Sequence, residues 1–196
     1  MALWGATDAD EAKPKHLTTA QQKEVYANTG GWVVEAGSSQ TGNGNTSADP
    51  EILVAIRGLS ASIGAADVTE VEWITTAADK SAGFTLSVRV RYNEPVTVTG
   101  SPTLAVTNGN EGTSSGRGPH TLVYASGTGT NELVFSLAIA AANAATNADD
   151  VLTVAAQSIL LPGGATMKDT GDGTTNAAVA ISASAVASTG SITVVA

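Results

Sequence analysis

The chain has 196 residues, 42% of them hydrophobic but only 4% aromatic and 14% charged, so its apolar mass is mostly Ala, Val, Leu and Ile. Its 21 glycines and abundant Ser, Thr and Asn favour short strands and turns over Glu- and Lys-rich helices, and a formal charge of −9 excludes nucleic acid as a partner, since phosphate backbones need a clustered positive patch. No run approaches the roughly 18 apolar residues of a membrane helix, so no membrane partner is expected, and with no Cys there is neither disulfide nor thiol chemistry.

Residues 1–66 read as an extended arm. The start, Met1-Ala-Leu-Trp-Gly, has neither the basic region nor the apolar stretch of a secretory leader, so assembly inside a cell is expected. Asp8, Asp10 and Glu11 precede Lys13-Pro14-Lys15, a kink whose two lysines suit an acidic neighbour. Thr18 and Thr19 each stand three residues before a glutamine, Gln21 and Gln22, which predicts one short capped helix over 19–27, stopped by Asn28-Thr29-Gly30-Gly31. A Gly/Ser/Asn tract over 37–47 follows. Beyond Pro50 the continuous apolar run over 52–56 predicts a strand covered on both faces. The arm looks too thin in apolar residues to bury its own core, which makes Trp4, Trp32, Ile52, Leu53, Val54 and Ile56, with Lys13 and Lys15, the candidate partner-binding residues.

From about residue 67 the alternation becomes regular. Phe84, Leu86, Val88, Val90 and Tyr92 fall on one face of a predicted strand, with Thr85, Ser87, Arg89 and Arg91 on the other. Leu133, Phe135, Leu137 and Ile139 repeat the pattern opposite Glu132, Val134, Ser136 and Ala138. Further strands are predicted over 68–74, 96–99, 103–107, 121–124, 151–155, 159–161 and 178–181. Glu94-Pro95 reads as a strand end, and turns fall at Gly100-Ser101-Pro102, Asn108-Gly109-Asn110 and Ser126-Gly127-Thr128-Gly129. This spacing predicts an all-β fold: an immunoglobulin-like β-sandwich over 67–184, with a closed barrel as the alternative. Residues 185–196 are a tail or an extra strand.

The segment Phe84-Thr-Leu-Ser-Val-Arg-Val-Arg-Tyr-Asn-Glu94-Pro95-Val-Thr-Val-Thr-Gly100-Ser-Pro102, with Tyr124-Ala-Ser-Gly127-Thr-Gly129-Thr downstream, resembles the bacterial Ig-like repeats of large cyanobacterial and other surface proteins. That resemblance covers about 68–183 and implies a display or contact module. In the first third, Met1-Ala-Leu-Trp-Gly, Lys13-Pro14-Lys15, Gly31-Trp32 and Ala48-Asp-Pro50-Glu-Ile-Leu-Val-Ala-Ile56 are similar to virion structural proteins of tailed phages that infect marine cyanobacteria. A single Ig-like copy behind an arm departs from the tandem cell-surface arrangement and favours a virion part.

Candidate chemistry is sparse. His16 and His120, the two histidines, sit in no nucleophile or metal motif. Asp149-Asp150 and Asp169-x-x-Asp172-Gly173 put carboxylates at loop ends, where calcium is the cation to consider, but the spacing and closing glutamate of an EF-hand are missing. No catalytic, cofactor-binding or metal-binding residue is therefore assigned, and no cofactor is expected.

The expectation is a non-enzymatic virion protein, a capsid decoration or cement protein whose arm binds the major capsid protein or other virion proteins and copies of itself. A tail, neck or fibre-associated component is the nearest alternative. A bacterial surface adhesion or sugar-binding module comes from a different class.

Overall fold

A computed structural model describes residues 14, 16–28, 31–42, 44–55, 65–109, 119–141, 145–171 and 173–196. Thr18 caps α1 (Thr19–Lys23) through the expected box: its side chain accepts from the Gln21 amide, and the Gln21 side chain accepts from the Thr18 amide. The helix is shorter than predicted. After Lys23 the β-favouring Val25 and Tyr26 begin a strand, β1 (Val25–Asn28), which pairs antiparallel with β2 (Gly31–Val34), Asn28 opposite Gly31. Then β3 (Glu51–Ala55) adds to the other side of β2.

The arm is therefore not a bare extended segment. Pairing brings Val25, Ala27, Trp32 and Val34 into one small buried cluster, with Leu17, Leu53 and Val54 packed against it. The apolar residues are sparse along the chain but converge across strands, which a reading by linear separation does not capture. The Gly/Ser/Asn tract is anchored where it begins: Ser38 and Ser39 donate to the Glu24 carboxylate, and Gln40 Nε2 donates to the Gln21 carbonyl at 2.9 Å.

Residues 66 onward form an all-β sandwich. Its strands are β4 (Val68–Trp73), β5 (Ala78–Asp79), β6 (Phe84–Thr99), β7 (Thr103–Gly109), β8 (His120–Ser126), β9 (Thr130–Ile139), β10 (Val151–Thr153), β11 (Gln157–Ser158), β12 (Thr166–Asp169), β13 (Ala180–Ile181) and β14 (Ser191–Val195). Hydrogen bonding runs continuously in the order β12-β6-β9-β8-β7-β10-β14-β5, with β4 also on β6, while β11 and β13 pair separately. Val71 of β4 and Phe135 of β9, both beside β6, share one core with Leu152 of β10 and Val194 of β14, several strands away in that order, so the sheet curls upon itself and its inward faces make the two layers.

The predicted faces are the observed ones. Leu86, Val88, Val90 and Tyr92 of β6 are buried with Leu133 and Phe135 of β9, and Tyr92 Oη donates to the Ala178 carbonyl at 3.0 Å. The outward face between β6 and β7 carries the cross-strand row Ser87–Ser136–Val123–Thr103 and the pairs Thr85–Ala138 and Thr121–Ala105, in which no side chain is charged.

The Glu94-Pro95 expectation needs correction. Glu94-Pro95 does not end a strand: β6 runs through it, with the ladder to β9 interrupted between Arg91 and Val96. Proline has no amide hydrogen to donate, so it sits where the ladder is already broken. Of the two readings of 185–196, a tail or an extra strand, the structure shows the strand. Ala185 accepts from the Val71 amide, and β14 lies between β10 and β5, antiparallel to the first and parallel to the second.

Candidate functional site

The eight expected partner-binding residues are not one surface. Trp4, Lys13, Lys15 and Ile56 lie outside the described residues. Trp32, expected as an anchor for another chain, is 2% exposed and belongs to the small cluster of its own sheet, so it is not a free anchor. Ile52 is 62% exposed, while Leu53 and Val54 are half-buried against that cluster. The strand is therefore covered on one face rather than two. It is also the edge strand, and its register shifts where Trp32 faces Val54 and Val33 faces Ile52, leaving Leu53 as the bulged residue. A bulge of this kind bends an edge away from flat pairing, so Ile52 offers a side-chain contact more readily than the strand offers its backbone.

The densest polar chemistry lies where the N-terminal module meets the outward face of β4, β6 and β9. Alternation puts Arg89 and Arg91 on that face of β6, Glu70 and Glu72 come from β4, Glu132 from β9, Lys23 from the last turn of α1, and Glu35 from just beyond β2. The Arg91 side chain is 9% exposed. Its Nη1 donates to the Lys23 carbonyl at 2.9 Å and to Glu35 at 3.3 Å, and lies 2.7 Å from Glu132; its Nε donates to Glu72 at 3.1 Å. Lys23 Nζ pairs with Glu70 and stands 3.5 Å from Glu72, while Arg89 links Glu132 and Glu72. Ser188 donates to Glu70 at 2.9 Å from the far end of the chain.

The electrostatics follow from this crowding. Burial alone would lower the Arg91 pKa, but Glu132, Glu35 and Glu72 outweigh it and hold the guanidinium charged. Burial pushes Glu72 up, and Arg91, Lys23 and Arg89 more than reverse it, leaving that carboxyl below its ordinary value. Glu35 goes the other way: burial raises it, Glu132 and Glu24 add to the effect, and Arg91 and Arg89 do not fully compensate. A cleft of about 470 Å³ opens beside this layer, lined among others by Glu24, Tyr26, Glu35, Arg89, Asn131 and Glu132. The arrangement fastens two parts of the chain together.

Sequence reasoning placed Arg89, Arg91 and Glu132 on an outward face but had no signal that this face would be covered. His16 is exposed in the turn before α1. His120 is buried, its Nε2 3.1 Å from Thr146 Oγ1. Asp150 accepts from the Asn147 amide and Asp169 from the Gly171 amide, both carboxylates closing their own loops; Asp172 lies outside the described residues. Among the described residues no three His, Asp or Glu side chains converge as metal ligands, and no helix is long and apolar enough to cross a membrane.

His120 gives a pH prediction. Burial lowers its pKa below 6.5, with Asp150 opposing. The unfolded chain therefore binds the proton more readily, so this contribution to stability is complete above pH 6.5 and lost as pH falls through the folded value. Glu35 acts oppositely, its raised pKa favouring the folded state as pH falls toward 4.5. Urea midpoints measured at pH 7.5 and 5.5 should drop for the parent chain, and His120→Asn should flatten the drop. An unchanged slope in the variant would assign the pH dependence elsewhere.

No family model, curated protein or solved structure matches the chain.

Proposed function

We propose that this chain is a non-enzymatic virion structural protein of a tailed phage, a capsid decoration protein that contacts capsid subunits through its N-terminal module and turns its sandwich outward. The observation that carries the reading is the two-part build, in which a small module bearing the exposed Ile52 is fastened to one region of a sandwich whose outward face between β6 and β7 carries uncharged side chains. The likeness of the first third to phage virion proteins, and of the rest to Ig-like repeats, supports the same division of labour. Such a build suits display: the sandwich needs only to fold and present a face, and attachment is left to the module. The proposed partners are the major capsid protein and neighbouring copies of this chain.

Mass spectrometry of purified particles should recover the chain at a copy number in fixed proportion to the major capsid protein. Deleting residues 1–60 should abolish incorporation while leaving a folded sandwich. Recovery in proportion to tail or neck proteins would move the protein to that part of the particle, and absence from particles would overturn the reading.

A further inference from the structure

Among the described residues the two hydrophobic clusters do not merge. The large one draws on residues from Ala66 to Val194, and the small one on Val25, Ala27, Trp32 and Val34 with their neighbours. The sandwich thus completes its core without any described residue of the N-terminal module. The module cannot claim the same independence, since strands of four or five residues with five buried apolar side chains, Val33 beside the four of the cluster, are too little to hold order unaided. It has to be held by what it sits on, and the bonds across that junction include those of charged groups: Arg91 to the Lys23 carbonyl and to Glu35, and Lys23 to Glu70 and Glu72.

We propose that the N-terminal module is a charge-held clasp, closed on β4 and β6 by Arg91 and Lys23, that opens while the sandwich stays folded. Lys23 and Glu72 are each about a third or a quarter exposed, so their attraction is open to screening by salt. Arg91 is more sheltered and sets the remaining hold. The charged groups facing the junction are Lys23 and Glu24 at the end of α1, Glu35 beyond β2, Glu70 and Glu72 on β4, Arg89 and Arg91 on β6, and Glu132 on β9, with the Tyr26 phenol on β1 beside them. Carboxylates outnumber cations in that set, so removing either Lys23 or Arg91 leaves unbalanced repulsion as well as a lost bond. The inference does not rest on the virion reading.

Amide hydrogen exchange on the full chain tests it. In 1 M rather than 50 mM sodium chloride, exchange across 25–28, 31–34 and 51–55 should rise at least tenfold, while the central amides of β6 and β9 keep their protection. Arg91→Met and Lys23→Glu should each do the same at low salt, and the swap Lys23→Glu with Glu70→Lys should restore much of the protection lost in Lys23→Glu. Lys23 lies outside the sandwich, so its variant keeps the test valid even if Arg91→Met disturbs β6. Loss of protection in β6 and β9 together with the module in Lys23→Glu, or no change in the module under salt and in both variants, would overturn the clasp.

Discussion

Phe135→Ala should destabilise the protein by about 3–5 kcal/mol, the range for emptying a buried aromatic site. Phe135 is fully buried on β9, opposite Val88 on one side and Tyr124 on the other, and meets the Tyr124 ring edge-on at 6.1 Å between centroids and 74° between planes. It belongs to a core of mainly Val, Leu, Ile and Ala, and ladders on both sides hold its strand in register, so little can move in to refill the space. The edge-on contact adds a loss that area alone does not contain. Val123→Ala, one residue from Tyr124 but on the outward face, should change stability by no more than about 0.5 kcal/mol. Urea unfolding of both variants measures the difference, and equal losses would mean that the inward and outward faces of β8 and β9 are reversed.

A second large effect is expected in the hairpin between those strands. Gly127 has φ +109°, and a Cβ placed there would lie 1.9 Å from the Glu132 carbonyl oxygen, a backbone atom that cannot step aside without breaking the turn. Gly129, two residues on, has φ +79° and open space where its Cβ would be. Gly129→Ala should therefore cost only the left-handed conformation, about 1–2 kcal/mol. Gly127→Ala adds the collision and should cost about 3 kcal/mol or more. The turn also aligns its neighbours, since the Thr128 amide donates to Tyr124 Oη at 2.7 Å and the Gly129 amide to the Val96 carbonyl at 2.8 Å. Denaturation midpoints of the two alanine variants, compared directly, isolate the steric term. Equal losses would contradict the close approach at Gly127.

What was legible in the sequence follows the range of the interactions. The alternation of Leu86, Val88, Val90 and Tyr92 is a local pattern of period two, and it placed β6 and its buried face correctly. The Thr18–Gln21 cap is equally local. Its helix was drawn too long because a few residues after Lys23 do not distinguish a period of 3.6 from one of 2, and the decision fell to the pairing of Val25 with Val34. Trp32 looked isolated because the residues that bury it, Leu53 and Val54, come from beyond a polar tract. The junction was hidden for the same reason, since nothing near Arg91 in the chain announces Glu35 or Lys23 across it. Glu94-Pro95 misled in another way: a proline that breaks a ladder has the same sequence signature whether the strand stops or continues past a bulge.

The position of β14 constrains how the molecule can be made. A strand inserted between β10 and β5 is a keystone, and it is contributed by residues 191–195, more than a hundred positions after the β5 residues it joins. The ribbons of β7, β8 and β9 can pair early in folding, because their partners are close along the chain, but the curled sheet has no means of joining β10 to β5 until β14 docks. Until then Leu152 lacks its neighbour on β14, and β10 presents an unpaired edge. Completion of the sandwich thus waits on a long-range docking step, and a chain cut just before residue 191 should accumulate as a sticky intermediate rather than as a slightly weaker version of the native protein.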